Sequence, residues 1–352
     1  MIKNTLLAAL LTLSAGCAIV TDNTVSVNTL GNSAKDLSPF KAQQGGLYLA
    51  PDYHAVLPRD TKLLTSTRSW VDSNTNTVDL SKLPRVSGSV TARDITAEGS
   101  VLVITSDANY RYFKGNGLPT TVMGQFPVEK GTEAYTYYSA APAGHDPRTG
   151  IPGSDYSSAA AIGVSPYDVT MQLPRNPKYS TVPNPIAALP TGIALTGAVW
   201  HAEIANASAT QWYNPVSILP LDQCFGHPYS QQYHYHAYSW RCFPHQGTAG
   251  HSPLFGYALD GFGIYGPRGD DGEMVTNSQL DQCHGHIGTV LWDGKLTEIY
   301  HYHLNNQYPY SIGCFRGVVD YDKALGSSDL RSHANMMHGA SGMPPIPQGP
   351  FQ

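Results

Sequence analysis

Tyr233-His234-Tyr235-His236 recurs as Tyr300-His301-Tyr302-His303, and this doubled tetrapeptide decides the fold. Two residue types alternating at period two read as a β-strand, where residues i and i+2 share a face. His234 and His236 therefore project to one side, and Tyr233 and Tyr235 to the other. The same holds for His301 and His303 against Tyr300 and Tyr302. Upstream of each tetrapeptide stands a second repeated element. Leu221-Asp222-Gln223-Cys224-Phe225-Gly226-His227 returns as Leu280-Asp281-Gln282-Cys283-His284-Gly285-His286, identical at six of seven positions. Downstream, each copy reaches a further cysteine, Cys242 and Cys314. The order Cys, Gly-His, Tyr-His-Tyr-His, Cys thus occurs twice, which marks an internal duplication.

Between the copies runs His251-Ser252-Pro253-Leu254-Phe255-Gly256-Tyr257-Ala258-Leu259-Asp260-Gly261-Phe262-Gly263-Ile264-Tyr265-Gly266-Pro267. It reads as an apolar strand, a tight Asp-Gly turn and a second strand. Before the first copy, Val101–Thr105 reads as a buried strand, and Gly192–Trp200 as one core strand. Residues 128–160 read as a long loop rich in Gly, Pro, Ser and Asp. The whole chain of 352 residues carries 34 glycines, 26 prolines and 22 tyrosines, and only 13% charged residues. That composition excludes a coiled coil, a long-helix bundle and a disordered chain. The expected fold is mainly β, loop-rich and disulfide-stapled, with the pseudo-duplication inside one domain.

The N-terminus has the layout of a bacterial signal peptide. Lys3 precedes an apolar run, Leu6–Leu13, that ends in Ser14-Ala15-Gly16-Cys17. The run is too short to span a bilayer. The small-small-Cys ending resembles a lipobox, with Cys17 as the lipidated residue and plain secretion as the alternative. The expected organisation is a signal segment over 1–17 and a Ser/Thr/Asn-rich β segment over 18–100. A main domain follows over 101–320, then a flexible Pro/Gly/Met/His tail over 321–352. Export places the chain in an oxidising compartment, as a cell-envelope lipoprotein or a secreted protein. There the duplication favours the pairs Cys224–Cys242 and Cys283–Cys314, each stapling one copy. The spacings lack a Cys-x-x-Cys pair, which argues against a thiolate metal site.

Ten of the fourteen histidines fall between His201 and His303. Neutral imidazole is the commonest metal ligand and suits zinc and copper. Two histidines at i and i+2 on a strand can hold one ion with help from elsewhere. If the copies pair around a pseudo-twofold axis, His234, His236, His301 and His303 converge. His227, His286 and His251 are further candidate ligands. Asp260, in the Asp-Gly turn, is the candidate catalytic or ligand-orienting carboxylate. The competing reading is a polar core in which these imidazoles bond tyrosines and backbone.

The doubled Tyr-His-Tyr-His, with His251–Leu254, Ala258–Phe262 and Ile264–Pro267 between, resembles the YHYH-domain family. Tyr308–Gly317 resembles its closing segment; Asn116–Pro119 and Gly124–Pro127 resemble its opening one. The resemblance covers about residues 100–318 and implies an exported domain, with no substrate. The chain departs from the pattern in two places. Thr120 and Thr121 stand where members often carry a His, and Gly263 replaces a usual Pro.

Three functions follow from these residues. The first is a copper- or zinc-dependent enzyme with a multi-histidine site, an oxidoreductase or a hydrolase. The second is non-catalytic copper binding or delivery at the cell envelope. The tail histidines and methionines (His333, Met336, Met337, His338, Met343) are consistent with it. The third is a surface binding module with a structural metal. The formal charge of -5 offers no basic footprint for nucleic acid. No phosphate loop, dinucleotide fingerprint, Gly-x-Ser-x-Gly or His-Glu-x-x-His appears, so nucleotide binding, serine hydrolysis and that protease class find no support.

Overall fold

The computed structural model describes residues 84–135, 161–203, 215–243 and 250–332, together with the short strands 24–26, 71–72, 77–79, 205–208 and 211–213. The signal segment with Cys17, residues 136–160 of the expected loop and the histidines of the tail lie outside the described residues. β1 (Thr24–Ser26), β2 (Val71–Asp72) and β3 (Thr77–Asp79) form a small sheet in the order β1-β3-β2. β4 (Leu102–Ser106), β5 (Tyr110–Gly115) and β6 (Val169–Pro174) form an antiparallel sheet in chain order. Its core side comes from alternation: Val169, Met171 and Leu173 of β6 are buried, as is Phe113 of β5. The strand expected to be buried, β4, is the edge strand: Leu102 at its start packs against the core, and the residues after it are exposed. Val103 and Ile104, neighbours on opposite faces, are 54% and 40% exposed.

The main sheet has eight strands. They are β7 (Pro190–Ala194), β8 (Val199–His201), β11 (Gly226–Tyr229), β12 (Gln232–Tyr235), β13 (Leu254–Ala258), β14 (Gly263–Tyr265), β15 (Gly285–Trp292) and β16 (Lys295–His303). Between them in sequence, β9 (Ala205–Ser208) and β10 (Gln211–Tyr213) pair separately. The run 192–200 is therefore a hairpin, not one strand: Gly197, at φ 111°, lets the chain turn between β7 and β8. The expected Asp-Gly hairpin is present as β13–β14, with Gly261 at φ 92°.

The strand order β11-β12-β8-β7-β13-β14-β16-β15 reads as a palindrome. Each half is an outer hairpin laid parallel on an inner one: β12 along β8, and β16 along β14. The halves meet antiparallel at β7 and β13. Registers coincide as well. Gly192 faces Trp200 and Ile193 faces Val199, while Gly256 faces Ile264 and Tyr257 faces Gly263. Gly192 thus corresponds to Gly256, and Thr196 to Asp260. At the seam a Cβ on Gly192 would sit 2.6 Å from the Tyr257 carbonyl, and one on Gly256 would run into the Ile193 carbonyl. Only glycine fits either place.

The pseudo-twofold axis exists, but it runs between β7 and β13. Four strands separate β12 from β16, so their Tyr-His-Tyr-His segments lie on the order of 24 Å apart at ordinary strand spacing. The four histidines do not share one centre. Cys224–Cys242 and Cys283–Cys314 are disulfides, each closing one copy. The packed chain also continues past residue 321. Tyr321, Ala324, Leu325 and Leu330 are buried, so residues 321–332 belong to the core and not to a tail. Among the described residues no helix is long and apolar enough to cross a membrane.

Candidate metal centres

The repeated Leu-Asp-Gln-Cys-x-Gly-His element builds a frame for the histidine strand that follows it. Asp222 is fully buried, and its carboxylate accepts from the backbone N–H of Cys224 (2.8 Å), Gly226 (3.1 Å) and Gly124 (2.9 Å) and from the Tyr233 hydroxyl (2.8 Å). Asp281 accepts from Cys283 N–H (2.8 Å), Gly285 N–H (3.3 Å) and the Tyr300 hydroxyl (3.0 Å), with Arg316 Nε at 2.7 Å where the first copy has Gly124. The glycine is required because a Cβ at Gly226 or Gly285 would overlap the Tyr233 or Tyr300 hydroxyl. The residue before it, Phe225 or His284, takes positive φ. The first tyrosine of each motif is thereby tied down on one face of its strand, and the histidines are left on the other.

In the second copy four imidazoles meet: His251, His286, His301 and His303. The Nε2 atoms of His286, His301 and His303 form a triangle with sides of 3.1 Å, and His251 Nε2 lies 3.0 Å from that of His301. The Nδ1 atoms of three of them are turned outward. His251 Nδ1 donates to the Ser252 carbonyl (2.8 Å), His301 Nδ1 to that of Ile299 (3.1 Å) and His303 Nδ1 to that of Gly266 (2.6 Å). A carbonyl only accepts, so each of these rings carries its proton on Nδ1 and aims an Nε2 lone pair at the others. Lone pairs cannot bond one another; a proton or a cation must lie between them. Burial, reinforced by neighbouring histidines, pushes His301 down to about 3 and His303 well below the ordinary imidazole value. His301 and His303 thereby present uncharged imidazole at neutral pH, the form that binds a metal ion.

The first copy gathers His201, His234 and His236, all buried. His234 and His236 repeat the second-copy geometry: their Nε2 atoms are 3.2 Å apart, and His234 Nδ1 bonds the Gln232 carbonyl at 3.1 Å. The third member comes from β8. By register His201 occupies the place of Tyr265, whose ring packs edge-on to His251 and His301. His227 lies across the ladder from His234, as His286 does from His301. Its ring sits 4.6 Å from that of His234, but it stands outside the three-membered group. Behind His236 stands Glu203, fully buried, which accepts at Oε1 from Ala237 N–H (2.8 Å) and the Ser311 hydroxyl (2.9 Å). Burial raises its carboxyl to about 8 and drops His236 to about 3.

His201 and Glu203 were not among the sequence-derived candidates. Both lie outside the repeated motif, and only the corresponding strand in the second copy points to them. Asp260 belongs to neither histidine group. Its carboxylate accepts from the Tyr302 hydroxyl (2.6 Å), Gly317 N–H (2.8 Å) and Phe262 N–H (3.2 Å), and burial raises it to about 6. It thus grips the tyrosine that alternates with His301 and His303. Thr196, its counterpart, sits 3.1 Å from the Tyr235 hydroxyl, which also meets Thr121 at 2.8 Å. Thr121, one of the two threonines standing where family members often carry a His, serves the tyrosine face of the strand.

Duplicated, disulfide-closed and histidine-paired, the β-rich sheet is built around the Tyr-His-Tyr-His strand. Residues 170–271 match the family described as YHYH protein, which bears out the family resemblance over the first copy and the central hairpin. No curated protein and no solved structure matches the chain.

Proposed function

We propose that this chain is an exported metal-binding protein whose second copy holds one transition ion on His251, His286, His301 and His303. The observation that carries this reading is the meeting of four Nε2 atoms with three Nδ1 protons committed to carbonyls. An equilateral triangle of donors fits one face of a tetrahedron and does not fit three corners of a square. A square plane would place one of its three distances about 1.4 times longer than the others. Tetrahedral zinc with nitrogen ligands at about 2.0–2.1 Å needs donors about 3.3–3.4 Å apart, close to the spacing here. The geometry therefore favours zinc or Cu(I) over tetragonal Cu(II).

Four protein ligands close a tetrahedral ion, and closed sites are the structural or storing kind. That favours a non-catalytic role for this centre over a hydrolase or an oxidase. Asp260 is read as the group that orients Tyr302, not as an acid or base. Export and a lipid anchor at Cys17 complete the proposal, and the two disulfides support an oxidising compartment.

Elemental analysis of the purified chain tests the metal. Stoichiometric zinc or copper is expected, lost in His301→Ala and in His303→Ala with both disulfides intact. A chain that holds no ion and takes up neither zinc nor copper would falsify the proposal.

A further inference from the structure

Resting on that reading, we infer that the first copy holds a second, independent metal centre on His201, His234 and His236, with the Glu203 carboxylate set behind His236 as its charge partner. The pseudo-twofold relation is the first support. His234 and His236 correspond to His301 and His303, and they keep the same Nε2 approach and the same outward Nδ1 bond from the first histidine of the pair. His201 supplies the third imidazole from the adjacent parallel strand.

The buried carboxylate is the second support. Glu203 Oε2 has no hydrogen bond and faces His236 Nδ1 at 3.3 Å, off the line of a hydrogen bond. Among the described residues no lysine or arginine forms an ion pair with it. Ionising a buried carboxyl without a partner is costly, and a cation held by the three rings beside it would offset that cost. Metal-ligating histidines commonly turn their other nitrogen to a carboxylate, which strengthens the ring as a donor. The second copy satisfies the corresponding nitrogen with the Gly266 carbonyl instead. The two centres therefore differ in charge as well as in ligand number.

They also differ in preparation. The rings of His201 and His234 lie stacked, 3.5 Å apart and 15° from parallel, whereas five ring pairs among the four second-copy histidines meet at 50–83°. Three ligands with one ring to re-aim make the weaker site. The first-copy centre accordingly fills after the second-copy one, with a divalent zinc- or copper-class ion.

Calorimetric titration of the metal-stripped, disulfide-intact chain with zinc is the test. Two ions per chain are expected, in two steps of different affinity. His301→Ala should remove the tighter step alone, and His236→Ala the weaker one alone. Glu203→Gln should weaken the second step about 10- to 100-fold and leave the first unchanged. Saturation of the wild-type chain at one ion, lost in His301→Ala and kept in His236→Ala, would overturn this inference while the four-histidine centre stands. No binding at all would remove both. A weaker step indifferent to Glu203→Gln would overturn the role given to the carboxylate. Because the wild-type count needs no variant, the test survives if a substitution prevents folding.

Discussion

The two copies share a frame and differ in what they hold. In both, an aspartate gathers two backbone N–H groups of its own turn and a tyrosine hydroxyl, a glycine makes room for that tyrosine, and a disulfide closes the loop. The second copy then lengthens its outer hairpin. β15 and β16 have eight and nine residues, against four each in β11 and β12. The tip of the longer hairpin is pinned by Asp293, which bonds Arg111 at 2.7 Å and Arg175 at 2.9 Å. The first copy puts a histidine where the second has Tyr265, and backs His236 with a carboxylate. The tyrosine face is core and changes little; the histidine face is free to diverge.

The largest expected effect separates the faces outright. His303→Ala should abolish metal at the second copy by more than about 100-fold, since it removes one of four ligands, while the fold and both disulfides persist. Metal content and circular dichroism report the two halves of that statement. Loss of the fold together with the metal would mean the histidine face is also core.

Next in size is the contrast between the framing carboxylates. Asp222→Ala strands several buried donors and should cost about 3–5 kcal/mol, whereas Asp281→Ala, at a partly exposed site, should cost about 1–3. Urea unfolding of the metal-free variants measures both. Equal losses would show that the frames bear the same load despite their different burial.

pH should pull on the buried histidines and on Glu203 in opposite directions. In the metal-free chain His301 and His284 of the second copy are held to about 3 and about 4, against about 6.5 unfolded. The unfolded chain takes the protons that the fold refuses. Their contribution is therefore whole above about pH 6.5 and is lost as pH falls toward 4. Glu203 of the first copy, raised to about 8, is favourable below its unfolded value near 4.5 and is lost as pH rises through 8. Denaturation midpoints across pH 4–9 should pass through a maximum, and Glu203→Gln should flatten the alkaline limb only. An unchanged alkaline limb would remove Glu203 as its source.

The smallest effect tests the tyrosine face. Tyr233→Phe should lose about 1 kcal/mol, Tyr300→Phe less, and neither should change metal content. A tyrosine variant that sheds metal would undo the separation of faces on which the comparison rests.

Period-two alternation made the histidine strands legible, and repetition made the disulfide pairing legible. Neither carries information about where a strand is inserted in a sheet, so the separation of His234 and His236 from His301 and His303 could not be read. The counterpart of the β13–β14 hairpin was hidden for a different reason. Gly192-Ile193-Ala194-Leu195-Thr196-Gly197 matches Gly256-Tyr257-Ala258-Leu259-Asp260-Gly261 at four of six positions, but an unbroken apolar run masks the turn at Gly197. With that hairpin unread, His201 and Glu203 had no motif to attach to. The edge position of β4 likewise leaves no mark on an apolar pentapeptide.

The glycine seam between β7 and β13 has a historical reading. A chain carrying one copy alone would end its sheet on an open apolar edge, and a second molecule of the same chain could close it only by the antiparallel pairing now seen between the halves. Joined in one polypeptide, the halves no longer have to be identical. One was free to lengthen its hairpin and recruit His251, the other to acquire His201 and Glu203. One polypeptide can therefore carry two different sets of histidines on one symmetric frame.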